Sequence, residues 1–287
     1  MHEILHVILH ALEETAKLLP FLFLTYLLLE FIEHKAAKTT AALTARAGWL
    51  GPAVGGLLGA VPQCGFSASA SNLYAGGVIS MGTLVAVFLS TSDEMLPVML
   101  SEKAAPARIL AILGIKVACG ILAGFAVDLV FRLMKRSARQ ETVHELCEDE
   151  NCGCGERGIV ISSLIHTLQI AFFIFLFSLA VGGLVEWIGE DRLAALAAKA
   201  GVFSTLICGL IGLIPNCASS VVLTELFLDG VISTGSILAG LLAGSGVGLL
   251  ILFRINKNIR QNLTVTAVIY GVGVGVGILF DLLGLTL

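Results

Sequence analysis

The sequence predicts an all-α polytopic membrane protein of about ten membrane segments, arranged as two inverted structural repeats. Composition is the first reason. Of 287 residues, 57% are hydrophobic and 13% charged, against about 25% charged in a typical soluble domain, and mean hydropathy is +0.96. The second reason is that apolar runs long enough to cross a bilayer recur at 18–32, 105–131, 158–188, 231–253 and 263–280. The third is a near copy. GAVPQCGFSASASNLYAGGVIS (59–80) returns as GLIPNCASSVVLTELFLDGVIS (212–233), an offset of 153 residues.

The elements follow in order. VILHALEETAKLLPFLFLTYLLLEFIE (7–33) aligns with SLIHTLQIAFFIFLFSLAVGGLVEWIG (163–189), which pairs His10 with His166 and Glu30 with Glu186. Two short apolar pieces flank Pro62-Gln63-Cys64 in the first half and Pro215-Asn216-Cys217 in the second. A third helix follows in each half, then a long fourth helix that pairs Asp128 with Asp281. This predicts a first transmembrane repeat over 1–134, a polar linker over 135–157 and a second repeat over 158–287. The first helix opens almost at Met1 with no basic leader and cleavage site, so no removable signal peptide is expected.

Lys and Arg orient the repeats, because cytoplasmic loops collect them. With an odd number of crossings per half, eleven fall in 33–48, 132–157 and 253–262, and four (Lys103, Arg108, Arg192 and Lys199) fall on the other side. The expected arrangement is therefore inverted, with the linker on the cytoplasmic side of an inner membrane. Seven cysteines, four of them in apolar segments, do not form a secreted disulfide framework and predict reduced thiols.

A proline inside an apolar helix removes a backbone hydrogen bond and clashes with the preceding turn. In lipid, freed backbone groups survive only where protein or a wet cavity satisfies them. Two such breaks at matching positions of inverted halves point to a central binding site. Gln63, Cys64, Asn216 and Cys217 are its first candidates, the thiols being soft ligands for soft metals. The competing reading is a packing kink among small residues. Cys119 and Cys208 have no twin cysteine and read as apolar core residues.

FLSTSDEMLP (88–97) places Asp93 and Glu94 inside the third helix, beside Ser92. The second half has Ser245, Gly246 and Val247 there, so the acids specialise one half for cation binding or proton exchange. His10 and Glu13, spaced i, i+3 on one helix, can share a metal ion, with His166 retained in the twin; Lys17 offers Glu13 an ordinary ion pair instead. Interface position accounts for Asp128 and Asp281. Lys116, deep in apolar sequence, requires a partner such as a carboxylate, or a snorkelling route. In the linker, His144, Cys147, Cys152 and Cys154 form a compact nitrogen-and-thiolate set suited to zinc, copper(I) or a trivalent metalloid, or else a solvated loop.

The stretch PQCGFSASASNLYAGGVISMGTLVAVFLSTSDEMLP, with its Pro-x-Cys-Gly break and Asp-Glu pair, resembles a bacterial family of ten-helix heavy-metal exporters labelled arsenic efflux proteins. A branch with a similar core is labelled as manganese transporters. The resemblance implies a secondary efflux transporter of a metal or metalloid. Thiols suit arsenite, zinc or copper; Asp93, Glu94, His10 and Glu13 suit a harder ion such as manganese. Proton coupling is expected, and no cofactor beyond the transported ion. Lipid, ion and protons are the expected partners, nucleic acid is not, and self-association stays open. No G-x4-GK[ST] loop is present, so ATP hydrolysis by that route is excluded for this chain. A membrane-embedded thiol enzyme built on Cys64 needs a histidine base within reach; none is close in sequence. A passive channel is the remaining rival.

Overall fold

The computed structural model describes residues 50–61, 64–92, 95–133, 203–215 and 217–285, together with scattered positions between 9 and 27 and between 160 and 179. The scattered positions are all helical. Ten helices can be bounded among the described residues. The first half holds α1 (Gly51–Gly59), α2 (Cys64–Ala75), α3 (Met81–Ser90), α4 (Met95–Ser101) and α5 (Pro106–Leu133). The second holds α6 (Phe203–Gly212), α7 (Cys217–Leu228), α8 (Thr234–Ala243), α9 (Val247–Ile255) and α10 (Ile259–Leu282). The bounds of α2 and α3 return at an offset of 153 residues as those of α7 and α8.

Lengths sort these helices into two kinds. α5 has 28 residues and α10 has 24, enough at about 1.5 Å per residue to cross a hydrocarbon layer of about 30 Å. α3 and α8 have 10 residues each, about half that depth. They become long enough only jointly with α4 and α9, as the stretches Met81–Ser101 and Thr234–Ile255. With α5 and α10, four stretches among the described residues are thus long and apolar enough to cross a membrane. The continuous third helix expected from sequence is not what forms. α3 stops at Ser90 and α4 starts at Met95, while α8 stops at Ala243 and α9 starts at Val247. Gly246 adopts φ 53°, a left-handed backbone open to glycine.

Every residue of α3 and of α8 is buried, as expected of helices at the centre of a bundle. α5 instead buries one stripe, Ile109, Ile112, Lys116, Gly120 and Gly124, and exposes Leu110, Leu122 and Leu129. That outer face suits lipid.

Glycines set the directions of packing. Gly55 of α1 faces Thr83 and Val87, and Gly59 faces Val87 and Ser90, so α1 and α3 run side by side in the same sense. Gly120 of α5 faces Ala86 and Ser90 while Gly124 faces Gly82 and Pro52, so α5 runs against both. The second half repeats this: Gly273 faces Ala239 and Ala243, and Gly277 faces Gly235 and Thr205. Such close backbone approach is how helices pack where lipid removes the hydrophobic drive. Between α2 and α3 the chain reverses in a Schellman turn, with Gly77 at φ 73° and the Val78 amide bonded to the Leu73 carbonyl at 2.8 Å. Gly230, at φ 71°, and Val231 build the twin turn.

The halves are not separate bodies. α2 packs on α9, and α7 packs on α4. One apolar core joins Met95 and Met99 of α4 to Val222, Leu223, Leu226 and Phe227 of α7. The other joins Tyr74, Leu84 and Phe88 to Leu249, Leu252, Val265 and Ile269.

Candidate functional site

Each half contains two helix interruptions, and the structure sets them side by side. In the first half the chain leaves α1 at Gly59 and enters α2 at Cys64; it leaves α3 at Ser90 and enters α4 at Met95. Ser92, 2% exposed, ties the two together by donating from Oγ to the Ala60 carbonyl at 2.9 Å. In the second half, a methyl added at Gly244 would lie 3.7 Å from the Gly212 carbonyl, so the α6 end and the α8 end adjoin likewise. Ser245, the twin of Ser92, is equally buried.

The pairs then interlock across the halves. The first turn of α2 lies on the start of α9, and a methyl at Gly248 would stand 2.7 Å from the Ser67 side chain and 2.9 Å from Phe88. Ser71 Oγ donates to the Gly248 carbonyl at 2.7 Å. So the helix that begins with Cys64 rests on the helix that begins after the second-half interruption. Reciprocally, α7, which begins with Cys217, rests on α4 through the core around Met95 and Met99. Lys116, 1% exposed, donates its ammonium to the carbonyl of Leu241 near the end of α8.

The start of each short central helix is fastened by an acid. Ser80 caps α3, receiving the Thr83 amide. Asp128 of α5 accepts from Ser80 Oγ at 2.7 Å and from the Gly82 amide at 2.9 Å. Ser233 caps α8 through the Ser236 amide. Asp281 accepts from Thr205 Oγ1 at 2.6 Å and from the Gly235 amide at 3.1 Å. Carboxylates suit helix N-termini, where unpaired amides and the macrodipole favour negative charge. The reading of Asp128 and Asp281 as residues explained by interface position is corrected here: they are anchors for α3 and α8.

Of the residues singled out from sequence, Ser92 and Ser245 are buried at the interruptions, and Cys64 and Cys217 open α2 and α7, their side chains lying outside the described residues. Gln63, Asn216, Asp93, Glu94, His10, Glu13 and His166 also lie outside them, as do His144, Cys147, Cys152 and Cys154 of the linker. Among the described residues no group of three His, Cys, Asp or Glu side chains could hold a metal. Cys208 is fully buried, and Cys119 packs at the edge of the core.

The family model that matches this chain is described as "Putative, 10TM heavy-metal exporter", and it covers residues 6–186. The chain belongs to this family. The match embraces both interruptions of the first half and the stretch holding Asp93, Glu94 and Lys116. No curated protein and no solved structure matches the chain. Family and fold agree on a multi-pass helical membrane protein of a transporter class.

Proposed function

We propose that the protein exports a metal or metalloid ion through the bacterial inner membrane, by alternating exposure of a central site between two inverted halves. The observation that carries this reading is the reciprocal seating of α2 on α9 and of α7 on α4. It ties an interrupted helix of each half to an interrupted helix of the other, twice. Unwound backbone in a membrane is tolerated where it lines a cavity, and helix ends offer oriented amides and carbonyls to an ion.

Inversion of the halves draws support from two contacts and one chain adjacency. Asp128, near the end of α5, touches Gly82 at the start of α3. α2 ends one turn before α3 begins, and its Tyr74 donates to Gln261 at the start of α10. α5 therefore finishes at the end of the bundle where its twin α10 begins. On this reading the paired short helices α1 and α2 enter and return from one side, α6 and α7 from the other. The basic loops 33–48, 132–157 and 253–262 then share the cytoplasmic side.

Cys64 and Cys217 hold the ion as soft ligands, flanked by Gln63 and Asn216. Asp93 and Glu94, with Ser92 beside them, exchange protons against it. His10, Glu13 and His166 supply a further ligand set on the first helices. The linker residues His144, Cys147, Cys152 and Cys154 collect the ion on the cytoplasmic side. Arsenite, zinc and copper(I) suit the thiols; the side-chain oxygens that Asp93, Glu94 and Ser92 carry suit manganese as the second reading.

Everted vesicles given arsenite, zinc, copper(I) or manganese in the medium, with and without a pH gradient, test this directly. Gradient-dependent accumulation of one ion is expected, lost in Cys64→Ser and in Asp93→Asn. Unchanged accumulation in both variants would reject the assigned site.

A further inference from the structure

Two side-chain contacts join the halves at twin positions. Tyr74, near the end of α2, donates from its hydroxyl to Gln261 Oε1 at 3.2 Å, in the first turn of α10. Arg108, in the first turn of α5, holds its guanidinium carbon 5.6 Å from the ring centroid of Phe227, near the end of α7. Tyr74 and Phe227 stand 153 residues apart, and so do Arg108 and Gln261. Each contact thus pairs the end of α2 or α7 with the start of the long helix of the other half. Tyr74 and Phe227 are buried, and Gln261 and Arg108 are half-buried. Among the described residues, α2 and α10 approach each other only marginally, as do α7 and α5. The side chains therefore bridge helices whose backbones are not closely packed. The two contacts lie at opposite ends of the bundle. Arg108 precedes Asp128 on α5 by about 20 residues, or about 30 Å. Asp128 holds the Gly82 amide just after α2 turns into α3, the end at which Tyr74 sits. One turn inward of Gln261 lies Val265, and one turn inward of Arg108 lies its twin Ile112, both 0% exposed. Val265 shares an apolar core with Tyr74, and Ile112 shares one with Phe227.

We propose that these contacts are two gates: Tyr74–Gln261 closes the central site toward one face of the membrane, and Arg108–Phe227 closes it toward the other. The inference rests on the alternating-exposure reading above and names the side chains that carry it out. Alternating exposure requires a barrier at each face. The bonds broken on opening must run between the halves, since bonds within a half move with it. A barrier that opens in every cycle must also be weak. One hydrogen bond or one cation–π contact is of that order. The seating of α2 on α9 and of α7 on α4 is of another kind, because it belongs to extended apolar cores. Opening therefore parts α2 from α10, or α7 from α5, where little besides the side-chain pair holds them. The gates differ in chemistry: the phenol–amide pair is neutral, whereas the guanidinium carries a permanent charge. A substitution in one pair therefore acts on one gate alone.

The test is the rate at which a small charged methanethiosulfonate modifies a thiol placed one turn beneath each gate. It uses the full chain, its own cysteines replaced by alanine, in lipid nanodiscs that leave both faces open. Val265→Cys reports on the Tyr74–Gln261 gate and Ile112→Cys on the Arg108–Phe227 gate. Adding Tyr74→Phe should speed modification of Val265→Cys by roughly threefold or more and leave Ile112→Cys unchanged or slower. Adding Arg108→Gln should do the reverse, by roughly the same factor. Where Tyr74→Phe or Arg108→Gln does not fold, Gln261→Ala or Phe227→Leu breaks the same contact from its other side. Acceleration of both thiols by one variant is general loosening and overturns the proposal, as does acceleration of neither. The readout needs no transported ion, so its failure is separate from a failure of export in everted vesicles.

Discussion

Replacing Asp128 with alanine removes the anchor of α3 and asks whether that anchor holds the centre. Two hydrogen bonds are lost, from Ser80 Oγ at 2.7 Å and from the Gly82 amide at 2.9 Å. Bonds to a charged acceptor contribute roughly 1.5–3 kcal/mol each where desolvated, and a carboxylate at a helix N-terminus adds about 0.3–1 kcal/mol. Asp128 is only half-buried, so water recovers part of both, and about 1.5–3 kcal/mol is the expected loss for Asp128→Ala. Asp281 makes the same kind of bonds to Thr205 and Gly235 but is exposed. Asp281→Ala should therefore cost about half as much. The sites lie in opposite halves and share no partner, so the double variant should lose the sum within about 0.5 kcal/mol. Asp128→Asn keeps an acceptor for the Gly82 amide and should fall between wild type and Asp128→Ala. Reversible unfolding by SDS in mixed micelles measures all four. A loss below about 0.5 kcal/mol for Asp128→Ala, or a larger loss for Asp281→Ala, would refute the anchor argument.

Two further outcomes follow from the packing and the proposed topology. Gly248→Ala drives a methyl onto Ser67 and Phe88 at under 3 Å, which should cost about 1–3 kcal/mol and lower export, whereas Gly114→Ala meets nothing within 4 Å and should be neutral or slightly stabilising; equal behaviour of the two would contradict the α2–α9 contact. Lys103 and Lys257 are exposed residues at the corresponding turns of the two halves. In a cysteine-free background, Lys103→Cys and Lys257→Cys should react with a membrane-impermeant maleimide from opposite sides of the membrane, and labelling from one side only would contradict inversion.

The sequence carried the class, the family and the long elements because those rest on signals that need no partner. The run at 105–131 became α5, and 263–280 lies within α10, since about twenty apolar residues have few other fates. The twin Schellman turns had a signal that went unread, Gly-Val-Ile-Ser at 77–80 and again at 230–233. The second interruption of each half was missed. Its signals were Ser90-Thr91-Ser92 and Gly244-Ser245-Gly246, short polar or flexible runs that an apolar average absorbs. The anchoring role of Asp128 was missed for another reason. It sits 46 residues from the amide it accepts, and nothing local to either partner announces the pairing. Lys116 was recognised as needing a partner, but a backbone carbonyl of Leu241, 125 residues away, has no side-chain signature.

What is duplicated and what is not divide along one physical line. The residues that repeat at 153 hold helix starts and turns: Ser80 and Ser233 as caps, Asp128 and Asp281 as anchors, Gly77 and Gly230 in left-handed turns. They satisfy the same backbone demands in each half, so each half needs them equally. The positions that differ include those that follow α3 and α8 in the chain. Ser90 and Thr91 stand opposite Ala243 and Gly244, Asp93 and Glu94 opposite Gly246 and Val247, and Lys116 opposite Ile269. On the proposed inverted arrangement, the scaffold offers two equivalent helix ends to the central site. On that reading, carrying both acids and the buried lysine in the first half makes the two ends unequal in charge, and unequal charge lets a site bind one ion in one position instead of two.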